Sequence, residues 1–373
     1  MDNLTHSLFG ATLARTPLSR AGRGTMTALV LASNAPDIDI VMTAGGAAKY
    51  LEWHRGMTHG LPGIIGLGVV TAALVTAGRR FYDQRWPASR ATSSEPDASF
   101  AMLCAVSMIG VLLHVLMDLP TSYGVRLLSP FDWHWFAVDW MPIVDIYLLV
   151  VLVIGLLGRS TPAQRRAKAA LVLLLMATNY GVRGIAHHQA LEIAPRLFGP
   201  TLPQPCDPAP GSAGVIDSWP RAAKPPNPPP GKRCLVETVA MPSFTSPSTW
   251  RIIAQMSNAY EMHDVNLLEQ RFRDPVTASD APWRLTLRYP NVWTPTVEKA
   301  GATHLGQVFL GFSRFPAARS AVDSSGVTTA RWTDVRFAGG PFALDQPAPR
   351  ALPFTATVRI GADGQVIDER LGR

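Results

Sequence analysis

Glu52–Val75 reads EWHRGMTHGLPGIIGLGVVTAALV. From Leu61 onward it is a near-continuous apolar run, and His54, Arg55 and His59 stand at its threshold. Such a run is a membrane-helix candidate, which makes the imidazoles at its mouth the informative feature. Residues five apart on a helix point about 140° away from each other, so His54 and His59 cannot face one site from a single regular helix. Gly56 breaks the register, Thr58 is placed to cap the following helix, and Pro62 falls in its first turn, where a missing N–H is harmless. His54 is therefore expected in a loop and His59 at a helix start.

Working outward, Leu61–Ala77, Phe100–Leu119, Met141–Leu157 and Ala169–Ile185 read as spans. Two shorter apolar pieces, Leu4–Leu13 and Thr25–Asn34, read as a tight helical hairpin, either spanning or re-entrant. The first basic cluster follows the apolar stretch Leu8–Leu13, so no cleavable secretory signal is expected. Residues 200–230, PTLPQPCDPAPGSAGVIDSWPRAAKPPNPPP, cannot be helical. Beyond them CLVETVAM, WRIIAQMS, WRLTLRY, LGQVFLGF, TTARWTDVRFA and FTATVRIGADGQVIDERL read as strands, the last a hairpin around GADG. The predicted fold class is α+β. A polytopic α-helical membrane domain (1–190) precedes a Pro-rich linker (191–232) and a small antiparallel β-rich extramembrane domain (233–373).

The net charge of +7 invites a nucleic-acid reading. In the first half, however, the basic residues concentrate in short loops between apolar runs, where topology accounts for them. Arg15, Arg20, Arg23, Arg79, Arg80, Arg85, Arg90, Arg159, Arg165, Arg166 and Lys168 form one set; Lys49, Arg55 and Arg126 form the other. The first set is expected in the cytoplasm, and the second, with everything after the last span, outside, which in a bacterium is the periplasm. The expected partner is the bilayer, not nucleic acid. Three cysteines are too few for a disulfide scaffold, though Cys206 and Cys234 can pair in an oxidising compartment.

Partners for the two imidazoles lie on other segments. NAPDID supplies Asp37 and Asp39, LLHVLMD supplies His114 and Asp118 on one helix face, and MDNLTH supplies Asp2 and His6. The loop SPFDWHWFAVDW adds Asp132, His134 and Asp139, although its aromatics also fit an interfacial belt. A lone histidine at a membrane surface is usually a polar anchor, but ionisable groups late in an apolar helix are costly and normally functional. The expected metal ligands are His6, Asp37, His54, His59, His114 and Asp118. Imidazole and carboxylate without thiolate suit zinc, with manganese or iron as alternatives; such a set suits one cation, or two sharing a carboxylate. Asp39, Arg55 and Asp118 are the catalytic candidates. Arg55, with Arg183 and His187 near the outer end of the last span, is a candidate for holding an anionic head group, although a snorkelling pair also explains the latter two. No H-E-x-x-H pair and no serine triad is present, and His263 and His304 each stand alone.

MDNLTHSLFG, NAPDID, HRGMTHG, LLHVLMD and TSYGVRLLSPFDW occur in an order that resembles the bacterial inner-membrane, metal-dependent hydrolase family called YdjM-like. The resemblance covers residues 1–190, and SPSTWRI and WTDVRF are similar to a tail on longer members. It implies a multi-pass membrane protein with a divalent-metal site, and through it hydrolysis of an ester or phosphoester, lipid-linked, by a metal-activated water. Gly60 departs from the serine that many members carry after the TH pair, so no hydroxyl role transfers there. The rival readings are a transporter or proton relay, and a non-enzymatic protein whose metal is structural and whose outer domain binds a partner.

Overall fold

A computed structural model describes residues 1–88, 95–158, 161–194, 205–206, 215–220, 233–272, 287–338 and 354–372. Most of the proline-rich 191–232 stretch and the start of WRLTLRY fall outside them. The chain forms two compact units, Met1–Val41 with Arg55–Gly184, and Met42–His54 with Ile185–Arg373.

The first unit is helical. Its helices are α1 (Asn3–Leu13), α2 (Thr25–Ala32), α3 (Leu61–Arg85), α4 (Phe100–Asp118), α5 (Ile146–Leu156) and the body of α6 (Pro162–Ile193). Of these, α3, α4 and α6 are long and apolar enough to cross a membrane. Leu74, Leu116, Leu174 and Ile154 are among the apolar side chains left facing outward, as lipid-contacting positions must be. The predicted span Met141–Leu157 is shorter than expected. Met141 bridges to Thr121, and Asp145 accepts a hydrogen bond from Leu148 N at 2.8 Å, capping a helix of 11 residues. Ser99 caps α4 in the same way, and Asp2 caps α1.

Arginines close one end of this unit. Arg15 donates to the Gly155 and Leu156 carbonyls at 3.0 and 2.9 Å, satisfying the end of α5. Arg79 donates to the Arg23 and Ala98 carbonyls, while Arg23 pairs with Asp83 and Asp97. Because the helices alternate in direction, the opposite end collects the starts of α1, α3 and α5 and the finishes of α2 and α4. Two glycines let the helices bearing the polar residues close up. A Cβ on Gly10 would lie 2.9 Å from the Leu29 carbonyl, and one on Gly110 2.8 Å from the Ala32 methyl.

The second unit carries two four-stranded antiparallel sheets. The strands are β1 (Leu235–Pro242), β2 (Thr249–Met256), β3 (Ala259–Asn266), β4 (Leu287–Pro290), β5 (Pro316–Val322), β6 (Thr328–Asp334), β7 (Thr355–Ile360) and β8 (Val366–Leu371). Their orders are β1-β2-β3-β4 and β8-β7-β6-β5, with β7 and β8 forming the predicted hairpin. Val239, Ile253, Tyr260, Met262, Phe315 and Val335 share one core. The final turns of α6 and the residue after them place Ala186, Ala190 and Ala194 in one cluster with Trp250 and Ile252 of β2. LGQVFLGF, expected as a strand, is instead the helix His304–Phe312. Thr303 caps it, and Leu305, Phe309 and Phe312 bury one face at helical spacing. Cys206 and Cys234 form a disulfide.

Candidate metal centre

Four elements deliver the polar residues to the end of the first unit opposite the arginines. His114 and Asp118 occupy the last turns of α4, both fully buried. His59 directly precedes α3, and Asp37 lies in the 3-10 segment Ala35–Gly45 that follows α2. Thr58 does not cap α3, as its spacing predicts; Gly60 takes the cap position without a side-chain bond. A Cβ on Gly60 would sit 2.2 Å from the Ser129 carbonyl, so the connection after Arg126 closes over this corner only because no side chain is there.

Asp37, His59, His114 and Asp118 each turn one donor atom to a common point, all within 4.8 Å of one another. The His59 and His114 Nε2 atoms are 3.3 Å apart. Asp118 Oδ2 lies 3.6 and 3.4 Å from them, and Asp37 Oδ1 lies 3.7 Å from each. Bonds of about 2.0–2.1 Å around a tetrahedral zinc place ligand atoms about 3.3–3.4 Å apart, so these separations are the edges of a slightly expanded cage.

Tautomers fit as well. His114 Nδ1 is 2.7 Å from the Ser33 carbonyl, an acceptor only, so Nδ1 carries the proton and Nε2 turns its lone pair inward. Thr58 Oγ1, 3.0 Å from His59 Nδ1, orients the second ring. Neither oxygen of buried Asp118 accepts a hydrogen bond, although Arg55 Nη2 lies 3.0 Å from Oδ2. Burial raises the Asp37 carboxyl above the ordinary carboxylate range, with Arg55 opposing that shift. A bound divalent cation reverses such a shift by favouring the anion. The residues present fit a divalent cation.

Around this group, Arg55 is buried at a positive φ of 50°. Its N–H donates to Asp39 Oδ2 at 2.7 Å, its Nη1 to the Gly124 carbonyl at 2.8 Å, and its guanidinium lies over Tyr123. Asp39 thus supports Arg55. His6 packs beside the group, its Nε2 3.3 Å from Asp118 Oδ1. His54 lies in the second unit with its ring on Tyr50, 3.3 Å from that hydroxyl. Arg183 pairs with Asp145 at 2.6 Å, both fully buried, and His187 meets the Trp250 ring edge-on. On the surface the His134 backbone N–H donates to Asp132 Oδ1 at 2.9 Å and its ring also meets that oxygen, which together hold the Asp132 carboxyl below its usual range. Asp139 is buried at a φ of 62°. Sequence reasoning missed Ser33, whose contribution is a backbone carbonyl; its only signal is its place just past an apolar helix.

A helical unit with membrane-length helices and a buried His/Asp group able to hold a metal ion defines the class. This chain belongs to the YdjM inner membrane protein family, whose description matches residues 1–190. Over 125 residues it is 30% identical to Uncharacterized protein YfhP of Bacillus subtilis (strain 168), a match covering 34% of this chain and 33% of that one. The chain therefore spans about a third of that relative's length. No solved structure matches it.

Proposed function

We propose that this protein is a metal-dependent hydrolase of the bacterial inner membrane, cleaving an ester or phosphoester of a lipid-linked substrate at the periplasmic face. The observation that carries this reading is the Asp37–His59–His114–Asp118 group, whose imidazole nitrogens stand 3.3–3.7 Å from each other and from the two carboxylates, with a fixed His114 tautomer. Zinc suits these edges best. A divalent cation in such a set lowers the pKa of coordinated water toward neutrality and so supplies a nucleophile. Arg55 stands 3.0 Å from Asp118 with its buried Nε lacking a hydrogen-bond partner, and can hold an anionic oxygen as charge develops on it. Asp37, the most exposed of the four, can take a proton from the attacking group.

Two independent features support the orientation. The arginines that close the far end suit a cytoplasmic side by the positive-inside rule, with the site end outward. The Cys206–Cys234 disulfide fits a chain that continues into an oxidising compartment.

The test is to purify the full chain in detergent, measure bound metal by elemental analysis, and assay phosphatidyl and simple ester substrates. Metal-dependent turnover lost in Asp118→Ala is expected. Metal retention with no turnover on any of them would favour a structural ion, and solute flux without turnover would favour transport.

A further inference from the structure

Asp118 shows its two oxygens to different neighbours. Oδ2 faces His59, His114 and Arg55. Oδ1 faces His6 Nε2 at 3.3 Å and is also met by the amino nitrogen of Met1. The distance from His6 matches the ligand-to-ligand edges of the group already described. His6 is fully buried, and neither of its ring nitrogens makes a hydrogen bond. A buried imidazole left this way is unfavourable unless something else engages it.

We propose that Asp118 bridges two cations. The first lies among Asp37, His59, His114 and Oδ2, and the second between Oδ1 and His6 Nε2. The geometry supports a pair of the right size. His6 and His114 stack with ring centroids 3.9 Å apart and planes 23° from parallel, and each directs its Nε2 at a different oxygen of the same carboxylate. Ions placed on two such parallel donors stand side by side at about the 3.5–4 Å separation of two-metal hydrolytic sites. Paired ions would clamp the attacking and leaving oxygens of an in-line displacement, an arrangement that suits phosphoesters.

This inference rests on the first metal position being real, and the test separates the two. Full-length protein, stripped and then reloaded with Mn²⁺ in detergent, is assayed for metal per chain and by electron paramagnetic resonance. His6→Ala is compared with His6→Phe, which keeps the packing against His114 but removes the donor; both are checked for folding by size exclusion and melting. Two ions per wild-type chain with an exchange-coupled spectrum, halved to one ion with an isolated-ion spectrum in both variants, is the expected result. One ion in wild type and in both variants overturns the bridge and leaves the first site standing. No ion in wild type overturns both. Loss of all metal in folded His6→Phe overturns the bridge by making His6 part of a single centre.

Discussion

Asp334 and Asp118 are both fully buried carboxylates, one in each unit, and they are treated in opposite ways. Asp334 is saturated: Arg336 Nε and Nη2 reach it at 2.7–3.1 Å, and the backbone N–H groups of Arg336 and Arg314 add 3.0 and 3.3 Å bonds. Asp118 accepts no hydrogen bond of good geometry; Arg55 Nη2 stands 3.0 Å from Oδ2, the Met1 nitrogen meets Oδ1, and three imidazoles approach without bonding to it. A carboxylate whose lone pairs are all engaged is a structural tie. One whose lone pairs are not all engaged, amid aligned ring nitrogens, can still take a cation.

The largest test of that contrast removes each carboxylate. Asp334→Ala strands the Arg336 charge inside the second unit and should cost about 3–5 kcal/mol, read as a lowered melting transition. Asp118→Ala should change the melting of metal-stripped protein less than that. It should nevertheless weaken metal uptake by more than the ~10–100-fold typical of losing an outer-sphere partner. If both behave alike, the contrast fails.

Next comes pH. Burial in β3 lowers His263 to about 4, against about 6.5 in an unfolded chain. As pH falls through that window the unfolded chain binds a proton that the fold refuses, so stability falls with it, by on the order of 2–3 kcal/mol. Melts of the second unit in the full chain, stepped from about pH 7 to about pH 4, should show this slope, and His263→Gln should flatten it. A smaller effect is expected from Thr58→Val, which removes the hydroxyl beside His59 Nδ1; metal affinity should drop ~10-fold or somewhat more by competition titration, with the fold unchanged. Smallest is Ser99→Ala, a cap remote from both carboxylates, costing about 1 kcal/mol in melting and nothing in metal binding.

Much of the candidate site is legible in the sequence because ionisable residues in apolar surroundings are expensive. His114 and Asp118, four apart on an apolar helix, need no structure to be placed on one face. Gly56 and Pro62 likewise mark the break that lets His59 leave the helix. Distances are another matter. Nothing in HRGMTHG tells that His54 turns to Tyr50 while His59 turns to His114, since both depend on where the chain crosses from one unit to the other. Nor does it show Asp39 serving the Arg55 backbone.

Fold reading failed where periodicity was ambiguous. LGQVFLGF satisfies a strand pattern and a helix pattern equally, and the Thr303 cap decides it. β3, AYEMHDVN, is polar enough to escape notice, yet it is an inner strand between β2 and β4. The apolar run from Met141 misleads for a different reason. Hydropathy sums its residues, whereas Asp145 determines where the helix begins.

The Ser33 carbonyl that holds His114 belongs to the residue capping the end of α2. Aim of the ligand and pitch of a short hairpin helix are therefore one mechanical quantity. A tilt of α2 would carry the Ser33 carbonyl with it, so the aim of the His114 ring is set by where that short helix ends.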